Sequence, residues 1–102
     1  MSEKKVLSFL GLTMKAGKLS SGEYQVENAV KGGKAALVII ALDASENTKK
    51  KFQNMCEYYQ VPIYFFGKME EIGAAIGKTF RASLAVTDEN LAKAITKQMN
   101  EQ

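Results

Sequence analysis

The segment Ala35–Leu42, with the sequence AALVIIAL, constrains the fold more than any other part of the chain. It is apolar at every position and rich in β-branched residues, so it has no polar face to turn toward water. Such a run predicts a central strand that is buried on both sides. Helices must then cover both faces of the sheet, which predicts an α/β fold with three layers.

Apolar periodicity predicts five helices around this strand. The first spans residues 3–16 and ends at a left-handed Gly17. The second opens at a capping box formed by Ser20 and Glu23 and ends at Gly32 and Gly33. The third, fourth and fifth each carry a buried stripe. These stripes comprise Phe52, Met55, Cys56 and Tyr59 in the third, Met69, Ile72, Gly73 and Ile76 in the fourth, and Leu91, Ile95 and Met99 in the fifth.

Three further strands complete the predicted sheet, at Leu19–Ser21, Ile63–Phe66 and Ala82–Val86. Pro62 precedes the second of these at an edge or entry position, where its missing N–H costs nothing. The third helix begins near Ser45 and the last is capped by Thr87 or Asp88. The order of elements predicts an α/β/α sandwich with a central, mostly buried, mixed four-stranded sheet, in a single domain over residues 1–102. Capping of helix starts accounts for the carboxylates Asp43, Glu46, Asp88 and Glu89.

Composition sets limits on partners and compartment. The chain of 102 residues has 14 Lys and Arg against 11 Asp and Glu, and its net charge of +3 permits an anionic partner without requiring one. The single Cys56 excludes an internal disulfide framework and fits a reducing compartment. No apolar run approaches the membrane-spanning length of about 20 residues. We therefore expect a cytoplasmic protein with no membrane partner, present as a monomer.

The sequence contains no arrangement of residues suited to catalysis. It has no histidine, so the usual general base and the common nucleophile pairs are missing. Cys56 lies in an apolar stripe and is interpreted as an inert core thiol. Gly77-Lys78-Thr79 resembles the end of a phosphate-binding loop, but that motif requires a glycine where this chain has Ile72. We expect no enzyme activity, no metal site and no cofactor.

The second helix has an exposed face that suits nucleic acid. Val26, Ala29 and Val30 define its buried side, so at about 100° per residue Tyr24 and Asn28 face away from the core. Lys31 shares this stripe, Gln25 flanks it, and Gly22 and Glu23 form its tip. Phosphates dock at helix N-termini, and Gln and Asn side chains hydrogen-bond to base edges. An ordinary solvated face with a tyrosine explains the same spacing.

Two other segments leave alternatives open. Lys49, Lys50 and Lys51 lie in the first turns of the third helix, where cations oppose the helix dipole. Phosphate contact or simple solvation accounts for them equally well. In the loop before the last strand, Phe80 and Arg81 either stack on and cradle an unpaired base, or Phe80 is buried in the core.

Several segments, taken together, resemble a known family. They are the stretch Ala16–Gly22 (AGKLSSG), the helix GEYQVENAVKGGKA, the strand ending LVIIALDAS, and the segments CEYYQVP and IGKTFRASLAV. In this order and spacing they are similar to the L7Ae and L30e group of ribosomal proteins, and especially to its short bacterial, YlxQ-like members. The similarity spans nearly the whole chain.

The resemblance implies an α/β/α sandwich that binds kink-turns, which are bent RNA motifs with sheared G·A pairs beside a short bulge. In the family, the glycine and the residues after it at the tip of the second helix enter the groove at the G·A pairs. The loop before the last strand holds a flipped-out nucleotide. The candidate RNA-binding residues here are Lys18, Gly22, Glu23, Tyr24, Gln25, Asn28, Lys31, Asp43, Thr79, Phe80, Arg81, Ala82 and Ser83.

Three positions depart from the family pattern. Tyr24 and Gln25 stand where the archetype has Asn-Glu, and Asn28 stands where it has lysine. The base contacts therefore differ, and one positive charge near the guanines is absent. The main hypothesis is an RNA-binding protein for kink-turn-type structured RNA, associated with ribosomal or other structured RNA. The alternative is a protein-interaction module of the same fold with weakened RNA recognition and a ribosomal or other protein partner.

Overall fold

Helices and strands alternate along residues 2–101, the part of the chain that the computed structural model describes. The order of elements is the one that the sequence predicts. The bounds are α1 Ser2–Lys15, β1 Leu19–Ser21, α2 Glu23–Lys31, β2 Leu37–Ile40, α3 Glu46–Tyr59, β3 Ile63–Phe65, α4 Met69–Ala75, β4 Ser83–Val86 and α5 Glu89–Asn100.

The four strands form one mixed sheet in the order β1-β4-β2-β3. β2 pairs in parallel with β3, whereas β4 lies antiparallel to both β1 and β2. The two central strands, β2 and β4, are buried at every position. α2 and α3 pack together against one face of the sheet, and α1 contacts both α4 and α5 on the other. The predicted three-layer α/β/α sandwich is confirmed.

The apolar run at Ala35–Leu42 forms the centre of the core, but only its middle is regular strand. Residues 37–41 are fully buried, while Leu42 is 57% exposed because the chain leaves the sheet there. Pro62 lies just before the edge strand β3, as predicted, and its carbonyl accepts a hydrogen bond from the Val38 N–H at 2.9 Å.

The stripe predicted for the third helix is correct in its middle and wrong at its end. Phe52 and Cys56 are buried, and burial raises the pKa of the Cys56 thiol to about 11. Tyr59 is 40% exposed instead of buried. It is the last helical residue and packs edge-to-face on Tyr58, with ring centroids 4.9 Å apart, outside the core.

The predicted capping box at the start of the second helix is also wrong. Ser20 pairs with Ala85 in the sheet, so its backbone is extended and cannot open a helix. The N-cap of α2 is Gly22, which has no side chain with which to cap it.

The predicted caps at Ser45 and Asp88 are confirmed, whereas Glu46 and Glu89 lie in the first turns without capping and Asp43 caps a different helix. Ser45 caps α3, and Asp88 caps α5 by accepting a hydrogen bond from the Leu91 N–H at 2.9 Å. Asp43 does not cap the helix that follows it. Its carboxylate accepts a hydrogen bond from the Met69 N–H at 2.9 Å and so caps the start of α4 instead. Gly17 has φ +73, the left-handed value expected of a helix end.

Candidate nucleic-acid interface

Most of the candidate residues meet at one end of the sheet, where β1, β2 and β3 end and β4 begins. Backbone hydrogen bonds hold this end together. The Gly22 N–H donates to the Ser83 carbonyl at 3.1 Å, and the Ala41 N–H donates to the Ala82 carbonyl at 2.9 Å. The tip of α2 therefore lies beside the segment that enters β4. We call this end of the sheet the site edge.

The start of α2 is an exposed helix N-terminus without a side-chain cap. Gly22 has φ +99 and ψ 150, a conformation essentially restricted to glycine. A Cβ atom built there would meet nothing within 4 Å, so the requirement for glycine comes from the backbone angle and not from crowding. The N–H groups of an uncapped first turn carry partial positive charge and suit an anion or a base acceptor.

The exposed face of α2 follows the predicted pattern. Val26, Ala29 and Val30 are buried. Tyr24 is 71% exposed, and Gln25 and Asn28 are exposed as well. The side chains that the sequence assigned to base contact are therefore open to a partner.

The loop between α4 and β4 presents an exposed aromatic ring at the same edge. Phe80 is 63% exposed, so burial in the core, one of the two alternatives that the sequence left open for it, is wrong. Arg81 holds the loop in place, since its guanidinium donates to the Phe80 carbonyl at 2.8 Å and to the Ser21 Oγ at 3.2 Å. Arg81 thus fixes Phe80 relative to the end of β1, one residue before Gly22.

A glycine on α4 allows this loop to pass close to the helix. A Cβ atom on Gly73 would collide with the backbone carbonyl of Thr79. Gly73 lies in the apolar stripe predicted for α4, but no sequence pattern marks Gly73 or Ser21 as a support of the loop. The serine and its arginine partner are 60 residues apart in the chain, so no local pattern reveals the pair.

Four of the candidate residues are placed less favourably for direct contact. Lys18 lies at the opposite end of β1, where its carbonyl accepts a hydrogen bond from the Thr87 N–H at 2.9 Å. Lys31 lies at the far end of α2 and pairs with Glu27 at 2.7 Å. Ser83 is buried within β4, and Ala82 is half-buried. Lys18 and Lys31 therefore do not form one continuous basic surface with Gly22.

Lys51, the last lysine of the run on α3, makes ion pairs that the sequence did not reveal. The Lys51 ammonium lies 2.7 Å from a carboxylate oxygen of Glu23 and 2.9 Å from one of Glu27. These contacts cross from α3 to α2. Lys49 lies 3.6 Å from Glu46 of its own helix, and Lys50 is exposed.

The described residues provide neither a metal-binding cluster nor a membrane-spanning helix. Among residues 2–101, no group of three or more His, Cys, Asp or Glu side chains is arranged to hold a metal ion. None of the helices that the structure describes is long and apolar enough to cross a membrane.

The fold and the site edge define the class of protein: a small α/β/α sandwich in which an uncapped helix start lies beside an exposed aromatic loop. The chain belongs to the ribosomal protein L7Ae/L30e/S12e/Gadd45 family, whose model matches residues 4–96. The resemblance inferred from the sequence is confirmed.

Relatives with the same short length support this membership. The chain is 39% identical over 92 residues to the RNA-binding protein YlxQ of Enterococcus faecium, covering 90% of this chain and 88% of that protein. It is also 39% identical over 92 residues to the RNA-binding protein YlxQ of Bacillus subtilis (strain 168), covering 90% and 92%. A solved structure from Bacillus halodurans C superposes with a TM-score of 0.91 at 38% identity, covering 94% of this chain and 97% of that one.

Proposed function

We propose that the chain is a cytoplasmic RNA-binding protein that recognises kink-turn-type RNA, in association with ribosomal or other structured RNA. The observation that carries the proposal is the pairing of an uncapped helix start at Gly22 with the exposed ring of Phe80 at one edge of the sheet. The Arg81–Ser21 hydrogen bond joins the two parts. The relatives named as RNA-binding proteins support the RNA-binding part of the proposal.

In this proposal each part of the site edge has a distinct role. The free N–H groups of the first turn of α2 face a phosphate or a base acceptor at the G·A pairs. Gln25 hydrogen-bonds to a base edge with its amide, which both donates and accepts. Phe80 stacks on the flipped-out nucleotide, because unpaired bases in RNA are commonly held against aromatic rings. No step of bond making or breaking is involved.

Affinities for two matched RNA duplexes test the proposal. One duplex contains a kink-turn, the other is straight, and both are measured at the same salt concentration because phosphate contacts make all RNA affinities salt-dependent. We expect tighter binding to the kinked duplex, and we expect Gln25→Ala to weaken that binding selectively. Equal, weak affinities for the two duplexes would rule out motif-specific recognition.

A second candidate function rests on a different observation. Tyr24 is 71% exposed at the centre of the α2 face, while Lys18 and Lys31 lie away from the tip. An exposed aromatic residue is a common anchor for a protein partner. If Tyr24→Ala leaves both RNA affinities unchanged and these are equally weak, the protein-interaction module becomes the better description.

A further inference from the structure

A cluster of four charged side chains joins the proposed RNA-binding helix to its neighbour. Lys51 of α3 contacts both Glu23 and Glu27 of α2, at 2.7 and 2.9 Å. The Lys31 ammonium lies 2.7 Å from the other carboxylate oxygen of Glu27. Hydrogen bonds from Lys31 and Lys51 lower the pKa of Glu27 to about 2. Glu27 is thus held as an anion, and each of the two carboxylates has a cation against it.

These carboxylates lie next to the surface that would face RNA. At about 100° per residue, Glu23 and Glu27 fall on the flank of α2 beside the stripe that carries Tyr24 and Asn28. A helix with its side chains is only about 10–12 Å across. Charges on that flank are therefore within about one Debye length of a phosphate backbone at physiological salt. Without a partner, the two anions would repel it.

Stability alone does not explain the position of Lys51. Its side chain is 38% exposed, and ion pairs this open contribute about 0–1 kcal/mol. So small a contribution to stability leaves room for a functional reason to place a cation between these two carboxylates.

We propose that Lys51 is a positioning residue that neutralises Glu23 and Glu27, so that the tip and exposed stripe of α2 can approach a polyanion. This inference rests on the proposed RNA-binding function. Lys51 acts through the two glutamates and makes no RNA contact of its own. Glu23 takes part at the tip through its backbone N–H, and its carboxylate is a charge that must be offset.

Charge-removing variants test the role of Lys51 on the kinked and straight duplexes used above. Lys51→Met keeps an unbranched apolar side chain and removes the charge, together with the ammonium that lies 5.8 Å from the centroid of the Phe52 ring. From Coulomb energies across water at such separations, we expect kinked-RNA affinity to fall about three- to tenfold, with the loss shrinking at high salt. The matched control is Lys50→Met, an exposed neighbour with the same change in charge, for which we expect a smaller loss.

Rescue distinguishes neutralisation from direct contact. Adding Glu23→Gln and Glu27→Gln to Lys51→Met should return affinity to the wild-type level or above it, whereas a lysine that bound phosphate would leave the triple variant weak. Lys51→Arg should bind like the wild type. If Lys51→Met does not fold, the double variant Glu23→Gln, Glu27→Gln with Lys51 intact still tests the proposal. Weaker binding of kinked RNA by this double variant than by the wild type overturns the proposal.

The remaining outcomes separate this inference from the function on which it rests. A wild-type chain that prefers kinked RNA, together with a Lys51→Met variant of unchanged affinity, overturns the role of Lys51 and leaves the proposed function standing. A wild-type chain without that preference overturns both.

Discussion

The Arg81 guanidinium donates a hydrogen bond to the Ser21 hydroxyl at 3.2 Å, and this contact ties the loop before β4 to the residue before the tip of α2. Ser21→Ala removes the acceptor. Because the loop loses one tether, we expect kinked-RNA affinity to fall about two- to fivefold, with a loss of about 0.5–1.5 kcal/mol in the free energy of unfolding. Titration with the kinked duplex and denaturant unfolding measure the two effects.

Ser20→Ala is the matched control for that variant, because adjacent side chains of a strand point to opposite faces. We expect it to leave RNA affinity within error of the wild type. Equal losses for the two serine variants would argue against a specific role of the Arg81–Ser21 hydrogen bond.

The exposed ring of Phe80 should contribute to RNA binding and little to stability. Phe80→Ala removes a stacking surface worth about 1–3 kcal/mol per base, so the affinity for a kinked duplex should fall by about 5- to 150-fold. The free energy of unfolding should stay within about 0.5 kcal/mol, because the ring lies outside the core. Tyr58→Ala serves as the control, because Tyr58 is also an exposed aromatic residue but lies on α3. A Phe80→Ala variant with wild-type affinity would contradict the stacking role.

Gly73 should be intolerant of even one added methyl group. Gly73→Ala places a Cβ against the backbone carbonyl of Thr79, so either α4 or the loop must move. We expect a loss of about 1–3 kcal/mol in the free energy of unfolding, the usual cost of overpacking, and faster amide hydrogen exchange across residues 79–81. Gly77→Asn is the control, because asparagine tolerates a left-handed backbone and nothing crowds that site.

The ion pairs of Glu27 should make stability depend on pH in acid. Lys31 and then Lys51 lower the pKa of Glu27 from 4.5 to about 2. A carboxyl whose pKa is lower in the folded state adds stability above its unfolded pKa and loses it as pH falls through the folded value. Glu27→Gln should therefore have a lower Tm than the wild type at pH 7, and the gap should close between about pH 4.5 and 2. Thermal unfolding across this range measures the gap.

Glu57→Gln, an exposed position on α3, is the control for the pH series. Its Tm should follow the wild type at every pH. A Glu27→Gln gap that stays constant down to pH 2 would show that the ion pairs do not lower the Glu27 pKa in solution.

The sequence predicts elements well wherever one local rule decides them. The run at residues 35–42 placed the central strand, and Gly17 marked the end of the first helix, where its φ is +73. Prediction from the sequence failed where a residue far away in the chain determines the local structure. Ser20 has the spacing of a capping box, yet sheet pairing with Ala85 outweighs that local signal. Asp43 stands near the start of one helix and caps another, because the strand order brings α4 beside it.

The candidate site was likewise predictable from the sequence only in part. Burial of Val26, Ala29 and Val30 alone indicated that Tyr24 and Asn28 are exposed, since helix geometry relates these positions directly. Whether Phe80 is buried could not be decided, because a loop has no repeating geometry that assigns a face. The partners of Lys51 were equally hidden, since nothing in the sequence says that α2 and α3 lie side by side with Glu23 next to this lysine.

The sequence by itself determined the α/β class, the order of the nine elements, the family and the exposed face of α2. These depend on periodicity, apolar runs and ordered motifs, which a linear chain carries in full. Only the tertiary structure decided that Phe80 is exposed, that Arg81 reaches Ser21, and that Lys51 lies between two glutamates. Such contacts join residues far apart in the chain, and their geometry exists only once the core has packed and fixed the relative positions of the helices.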